Sequence, residues 1–355
     1  MTSAPPAARW GPAERSLTLT LFALGLVLVS GFLHATWNLL AKRASGDASG
    51  PTFVWLYSAL SAVIFAPLAG GAVAFGGARV DALGLFFVFG TGVLHVGYFL
   101  SLQKGYRVGD LSVVYPLARG TGPLLASGAG ILFLGETAGP VVVVGILLIV
   151  AGVFLLAWEP RGARAPAGKR WPGVAFGVLT GVFVAAYTLW DKYAVSDLSL
   201  SPILYYWGSL LVQTVILLPV ALRRREEIWV AWRSRRPETL GVAVLSPLAY
   251  LLVLTALVYA PVSRVAPARE IGILVGTFLG GGLLAEGGLG RRLLASSCMV
   301  LGIVALAVGQ GPPPRGAVPA GGAVRYAAGR RTEKTGGRTL ARNGNRGGPQ
   351  RDAHL

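Results

Sequence analysis

Along nearly the whole chain, apolar runs long enough to form a helix alternate with short polar connections. A hydrocarbon core about 30 Å thick takes about 20 helical residues to cross. By that measure the pattern predicts ten membrane-spanning helices, over 17–39, 52–74, 82–103, 111–133, 138–158, 172–192, 201–222, 238–259, 264–285 and 292–310. A transmembrane barrel would alternate apolar and polar positions in segments of about ten residues. These runs are apolar all round, so the expected fold class is an all-α integral membrane protein.

The runs are also duplicated. Sliding the chain along itself by 150 residues aligns Ala35, Leu39, Lys42 and Ala44 with Ala185, Leu189, Lys192 and Ala194. The same offset aligns Ala118, Arg119, Gly122, Leu124, Gly130, Leu134 and Glu136 with Ala268, Arg269, Gly272, Leu274, Gly280, Leu284 and Glu286. Leu and Ala coincide cheaply in so apolar a chain, whereas Arg, Glu and Lys do not. The duplication predicts an N-terminal segment (1–16), a first five-helix repeat (17–158), a linker (159–171), a second repeat (172–310) and a basic tail (311–355). Five is odd, so the second repeat enters the membrane from the opposite side. Inverted repeats of this kind have two nearly equivalent packings, the basis of alternating access in secondary transporters.

Polar residues inside the runs are the candidate chemistry, because an ionised group at mid-membrane costs at least about 2.5 kcal/mol. Arg119 lies within about 5 Å of the middle of its helix. Beside it Gly122, Ala126 and Gly130 form a small-residue row, and Gly272, Gly276 and Gly280 repeat it beside Arg269. Such rows let helix backbones approach closely and are read as packing residues. The repeat breaks at Gly120, whose mate is Glu270, so one acid stands among two matched arginines. The expected cluster of Arg119, Arg269 and Glu270 either contacts an anionic or zwitterionic solute, relays a proton, or is a static ion pair. His34 and His95 titrate near neutral pH when unperturbed. Asn38, Tyr98, Tyr115, Tyr187 and Trp190 supply hydrogen-bonding and aromatic surface suited to an organic solute. Glu136 and Glu286, which close "FLGE" and "LLAE", read as anchors at helix ends.

Composition agrees with a membrane protein. Apolar residues make up 54% and charged residues 13%, against about a quarter charged in soluble domains. The net charge of +17 concentrates partly in the tail, rich in Gly, Arg and Pro, which reads as disordered and facing acidic headgroups, with no nucleic-acid partner expected. The lone cysteine, Cys298, permits no intrachain disulfide. The first apolar run reads as a helix and not a cleaved leader. No metal-ligand spacing, nucleophile elbow or nucleotide-binding loop is present. The expectation is therefore no enzyme, no cofactor and no ATP drive, leaving an ion gradient, with protons as the candidate coupling ion, or passive exchange.

Three stretches, "HATWNLLAKRA" (34–44), "GDLSVVYPLARGTGPLLASGAGILFLGE" (109–136) and "APAREIGILVGTFLGGGLLAE" (266–286), resemble the drug/metabolite transporter superfamily, specifically its EamA-type transporters. The likeness covers about 17–310. It implies ten helices in two repeats, residence in the cell membrane, and export or exchange of metabolites, amino acids, nucleosides or drugs. It implies no fixed set of site residues. The second repeat departs from "VYPLAR", having Val265, Ala266 and Pro267 there. The expected function is a secondary-active exporter of small organic solutes. The alternatives are an importer or antiporter of phosphorylated or nucleotide-linked metabolites and a non-transporting scaffold or sensor. On orientation two readings oppose each other. The family habit places both termini in the cytoplasm, yet the connections that would then face outward carry 16 basic residues against about five on the other side.

Overall fold

The computed structural model describes residues 12–44, 50–108, 111–157, 170–272 and 289–309, all within one compact unit, Met1–Pro313. Among them there is no strand. Helices follow one another as α1 (Pro12–Ala44), α2 (Gly50–Ala74), α3 (Ala82–Val108), α4 (Leu111–Phe133), α5 (Pro140–Ala157), α6 (Arg170–Lys192), α7 (Pro202–Arg223), α8 (Arg225–Ser234), α9 (Arg236–Tyr259), α10 (Val262–Ala268) and α11 (Leu289–Val308). A π-helical turn, Tyr193–Asp197, prolongs α6. The predicted tail and most of the linker lie outside the described residues.

Most predicted runs appear as helices with nearly the expected ends, and two expectations change. The run at 264–285 is not one uninterrupted helix. Its helix α10 stops at Ala268, Arg269 and Glu270 form a turn, and helix resumes at Ile271 and Gly272, beyond which 273–288 lie outside the described residues. Pro267 donates no hydrogen bond, and the amide of Glu270 reaches back only three residues, to the carbonyl of Pro267. The connection at 223–238, expected as a loop, contains α8. Glu226 and Glu227 stand in its first turn and Arg233 in its last, the arrangement that complements the helix dipole. Six helices among the described residues are long and apolar enough to cross a membrane, namely Leu21–Ala41, Gly50–Ala74, Ala82–Gly105, Trp171–Asp197, Pro202–Arg223 and Arg236–Tyr259, with two shorter apolar helices, Pro140–Leu155 and Leu293–Val308.

The distribution of side chains suits lipid. Val63, Phe75, Leu132 and Phe133 point outward, while Ser30, Thr52, Ser58, Ser61 and Thr180 are fully buried. Lipid is as apolar as leucine, so burial of apolar surface does not hold such helices together; close packing and interhelical hydrogen bonds do, the latter at about 0.6 kcal/mol each. Ser30 donates to the carbonyl of Ala249 (2.8 Å) and Ser61 to that of Ala243 (2.8 Å), tying α1 and α2 to α9. Trp55 donates to Thr214 O (3.1 Å) and Trp207 to Ala62 O (2.8 Å), tying α2 to α7.

Packing repeats under the 150-residue offset. Helix α1 lies on α9 as α6 lies on α3, and α2 on α9 as α7 on α3, while α2 pairs with α7 and α5 with α11. Both of these mate pairs are antiparallel. Trp55 meets Thr214 while Ala62 meets Trp207, and Gly145 meets Gly302 while Gly152 meets Ala295 and Met299. Equivalent helices thus run in opposite directions, as an inverted duplication requires. The α5·α11 crossing is so close that a Cβ on Gly302 would stand 2.7 Å from the carbonyl oxygen of Gly145.

Backbone cannot yield there as a flexible side chain could. Gly302→Leu is expected to abolish recovery of a monodisperse folded protein from detergent, and Gly25→Leu, where a Cβ meets nothing within 4 Å, to leave it unchanged, as read by size-exclusion chromatography.

Candidate functional site

Helical spacing places the polar residues of four helices in one region. Residues four apart share a helix face. Thr91 and His95, with Tyr98 a further turn along, therefore look the same way from α3, and Tyr187 and Asp191 the same way from α6. Asp191 is fully buried. Its Oδ1 accepts from the Tyr205 hydroxyl of α7 at 2.6 Å, and its Oδ2 accepts from the Tyr250 hydroxyl of α9. His95 Nδ1 lies 2.9 Å from the Thr91 carbonyl and 3.1 Å from the Thr91 hydroxyl. The imidazole stacks on Tyr187 with centroids 4.3 Å apart and meets Tyr250 edge-on at 5.2 Å. Tyr98 meets Tyr187 edge-on at 5.9 Å.

Tyr187 joins this group to the charges of the fourth and ninth runs. The guanidinium carbon of Arg269 lies 5.8 Å from the Tyr187 ring centre, within reach of a cation–π attraction. Arg269 Nε stands 3.8 Å from Glu270 Oε1, and Arg119 Nη1 stands 3.6 Å from Glu270 Oε2. Glu270 is thus the shared counter-charge of both arginines, as the broken repeat suggested. Its side chain is 1% exposed, and that of Arg119 is 24% exposed. These separations exceed hydrogen-bonding distance. Among the described residues, Arg269 Nε and both carboxylate oxygens of Glu270 have no hydrogen bond, an uncommon condition for buried polar atoms. His34 hydrogen-bonds through Nδ1 to Ser30, with Arg269 and Arg119 as neighbouring charges.

Other expected site residues are placed differently. Trp190 donates to the Phe87 carbonyl at 2.9 Å and packs on the Phe87 ring at 4.5 Å, joining α6 to α3 at a carbonyl that the Tyr205 hydroxyl also approaches, at 3.4 Å. The side chains of Asn38 and Tyr115 lie outside the described residues, as do Gly276, Gly280 and Glu286. Gly122 packs against α6, at Val184 and Gly181, and Gly272 against Gly31 of α1. Gly31 and Gly181 are themselves 150 apart, a matched pair that the sequence reading overlooked. Ala126 is fully buried, and Gly130 leaves room for the carboxylate of Glu136. Glu136 is the anchor it was expected to be. Its two oxygens accept from the amides of Val262 (2.6 Å) and Ser263 (2.9 Å), capping α10.

Asp191 was missed. Its mate in the first repeat is Ala41, so it is a second unmatched acid, and that asymmetry was the available signal. Lys192, beside it, turns away to the carbonyls of Leu257 (2.6 Å) and Ala260 (3.2 Å) at the end of α9. Away from the cluster, a cavity of about 370 Å³ is lined by Pro51, Leu100, Ser101, Gln103, Lys104 and Phe176. No group of three or more His, Cys, Asp or Glu residues that could hold a metal ion occurs among the described residues.

A family model described as the EamA-like transporter family matches residues 21–158 and again 171–308. The two matches coincide with the two repeats. One crystal structure, described only as that of a protein, is similar over 82% of this chain and 98% of its own, with a TM-score of 0.65 at 17% identity; that likeness speaks to the fold. No curated protein matches the chain.

Removing the acid would leave two guanidiniums uncompensated, and breaking a buried ion pair costs about 3–5 kcal/mol. Glu270→Ala is expected to lower unfolding free energy in bicelles by about 3 kcal/mol. Glu226→Ala, at an exposed surface position, is expected to stay within about 0.5 kcal/mol of the parent.

Proposed function

The chain belongs to the EamA-like transporter family, and we propose that it is a secondary-active exporter of small organic solutes, working by alternating access in the cell membrane. One observation carries the reading. The two repeats pack as antiparallel equivalents, and two acids without a counterpart in the first repeat, Asp191 and Glu270, stand in one polar cluster with Arg119, Arg269, His95 and Tyr187. An inverted pair of repeats offers two packings of similar energy about a central site. The turn at Arg269–Glu270 adds support, because interrupted helices commonly supply transporter sites.

The ends of the bundle differ in a way that fits one of those packings. At the end where α4, α6 and α9 finish, Glu136 is bound to the amides of α10, and Lys192 and Ser196 to carbonyls at the end of α9. At the other end, the cavity beside Gln103 and Lys104 opens among the start of α2, the end of α3 and the start of α6. In this reading the first end is the closed gate and the second is the approach.

The arginine pair favours a second reading, in which the solute is a phosphorylated or nucleotide-linked metabolite, since guanidinium groups suit phosphate oxygens. Both readings are separated by flux into and out of reconstituted liposomes, tested with amino acids, nucleosides, cationic drugs and sugar phosphates. Flux of at least one uncharged, zwitterionic or cationic solute is expected, falling about tenfold or more in Arg269→Gln, a loss equivalent to about 1.4 kcal/mol. Flux confined to phosphorylated solutes would select the second reading, and no flux of any solute would contradict both.

A further inference from the structure

We propose that Asp191 is the site at which the coupling proton binds, with Glu270 serving as fixed counter-charge to the arginines. The proposal deepens the transporter reading and rests on it.

Three buried acids occur among the described residues, and their partners differ in kind. Glu136 accepts two backbone amides. Glu270 stands between two guanidiniums. Amides and guanidiniums only donate, so both of those settings suit a carboxylate alone. Asp191 is held by two phenols. A hydroxyl donates and accepts, so on protonation of Asp191 the Tyr205 phenol can turn its own proton to the Phe87 carbonyl, 3.4 Å away, and accept from the new O–H. Asp191 also makes no ion pair among the described residues. Of the three, only this setting satisfies both protonation states.

The groups around Asp191 complete the case. From α3 come Thr91 and His95, from α6 Tyr187, from α7 Tyr205 and Tyr206, and from α9 Tyr250. Beyond Tyr187 stand Arg269, Glu270 and Arg119, with His34 beside the arginines. Lys192, next in the chain, is directed elsewhere. Two guanidiniums and two carboxylates balance, so a proton on Asp191 leaves one positive charge in excess. That excess acts on whatever solute the arginines hold, and such a dependence of one ligand on another is what coupling requires. His95, stacked on Tyr187 and edge-on to Tyr250, packs against the rings that link Asp191 to Arg269.

The test reads protons and needs no solute. Full-length protein in lipid nanodiscs is titrated from acid to alkaline pH while the carboxylic-acid carbonyl stretch is followed by infrared difference spectroscopy. The wild type is expected to lose a buried carboxylic-acid band as pH rises. That band should be missing from Asp191→Asn and retained in Glu270→Gln. Should Asp191→Asn fail to fold, Tyr205→Phe replaces it and is expected to change the pH at which the band is lost. Tyr206→Phe, whose ring packs on Tyr250 at 4.9 Å, should leave that pH unchanged. A band that survives in Asp191→Asn, disappears in Glu270→Gln, ignores Tyr205→Phe or never titrates in the wild type would overturn the proposal. Because the band is read without any flux, its absence is distinguishable from a failure of the transport reading.

Discussion

Two guanidiniums are held within an apolar bundle, and the single carboxylate of Glu270 lies between them. That requirement for a shared counter-charge governs the centre of the molecule. It brings the fourth run of the first repeat against the ninth run of the second, and it does so at a turn where α10 has stopped. Arg269 reaches in turn toward Tyr187, which is stacked on His95, and so the ion pair is continuous with the aromatic and hydroxyl groups around Asp191. A change of charge anywhere along this line is felt at the rest, because buried charges are screened less than exposed ones.

Symmetry supplies the frame and its violation supplies the chemistry. Close crossings recur in matched form, Gly145 on Gly302 with Gly152 on Ala295, and Gly122 on Gly181 with Gly272 on Gly31. Two of their differences are acids carried by the second repeat alone. A side chain at Gly120 would collide with the ring of Phe154, so the first repeat has no room for an acid where the second carries Glu270. Ala41 likewise stands where the second repeat has Asp191. Both acids therefore come from one repeat, while each repeat contributes one arginine. A bundle that exchanges two similar packings would carry its acids with the second repeat in both.

Much of this was readable in the sequence because lipid imposes a simple rule on length and polarity. Runs of about 20 apolar residues have few alternatives to a helix, and an arginine such as Arg119 is conspicuous inside one. The residues that escaped did so for identifiable reasons. Asp191 stood at the edge of its predicted run beside Lys192, where charged residues ordinarily meet water; the π-turn that prolongs α6 to Asp197 instead keeps it inside. Helix α8, at 10 residues, is too short and too charged to stand out as an apolar run. The turn after Ala268 followed from Pro267 only in its tertiary setting, since Pro116 and Pro123 leave α4 unbroken. Trp190 reads from sequence as aromatic surface for a solute, and a sequence does not say which neighbour an indole faces; its N–H donates to α3.

The central claim is that the buried cluster is exposed to each side of the membrane in turn. Accessibility of Tyr98→Cys, at the rim of Tyr187, measures this most directly, in a background where Cys298 is replaced by Ser. The account predicts reaction with a membrane-impermeant thiol reagent applied from either face of oriented membranes. Reaction from one face alone under every condition, or from neither, would contradict it.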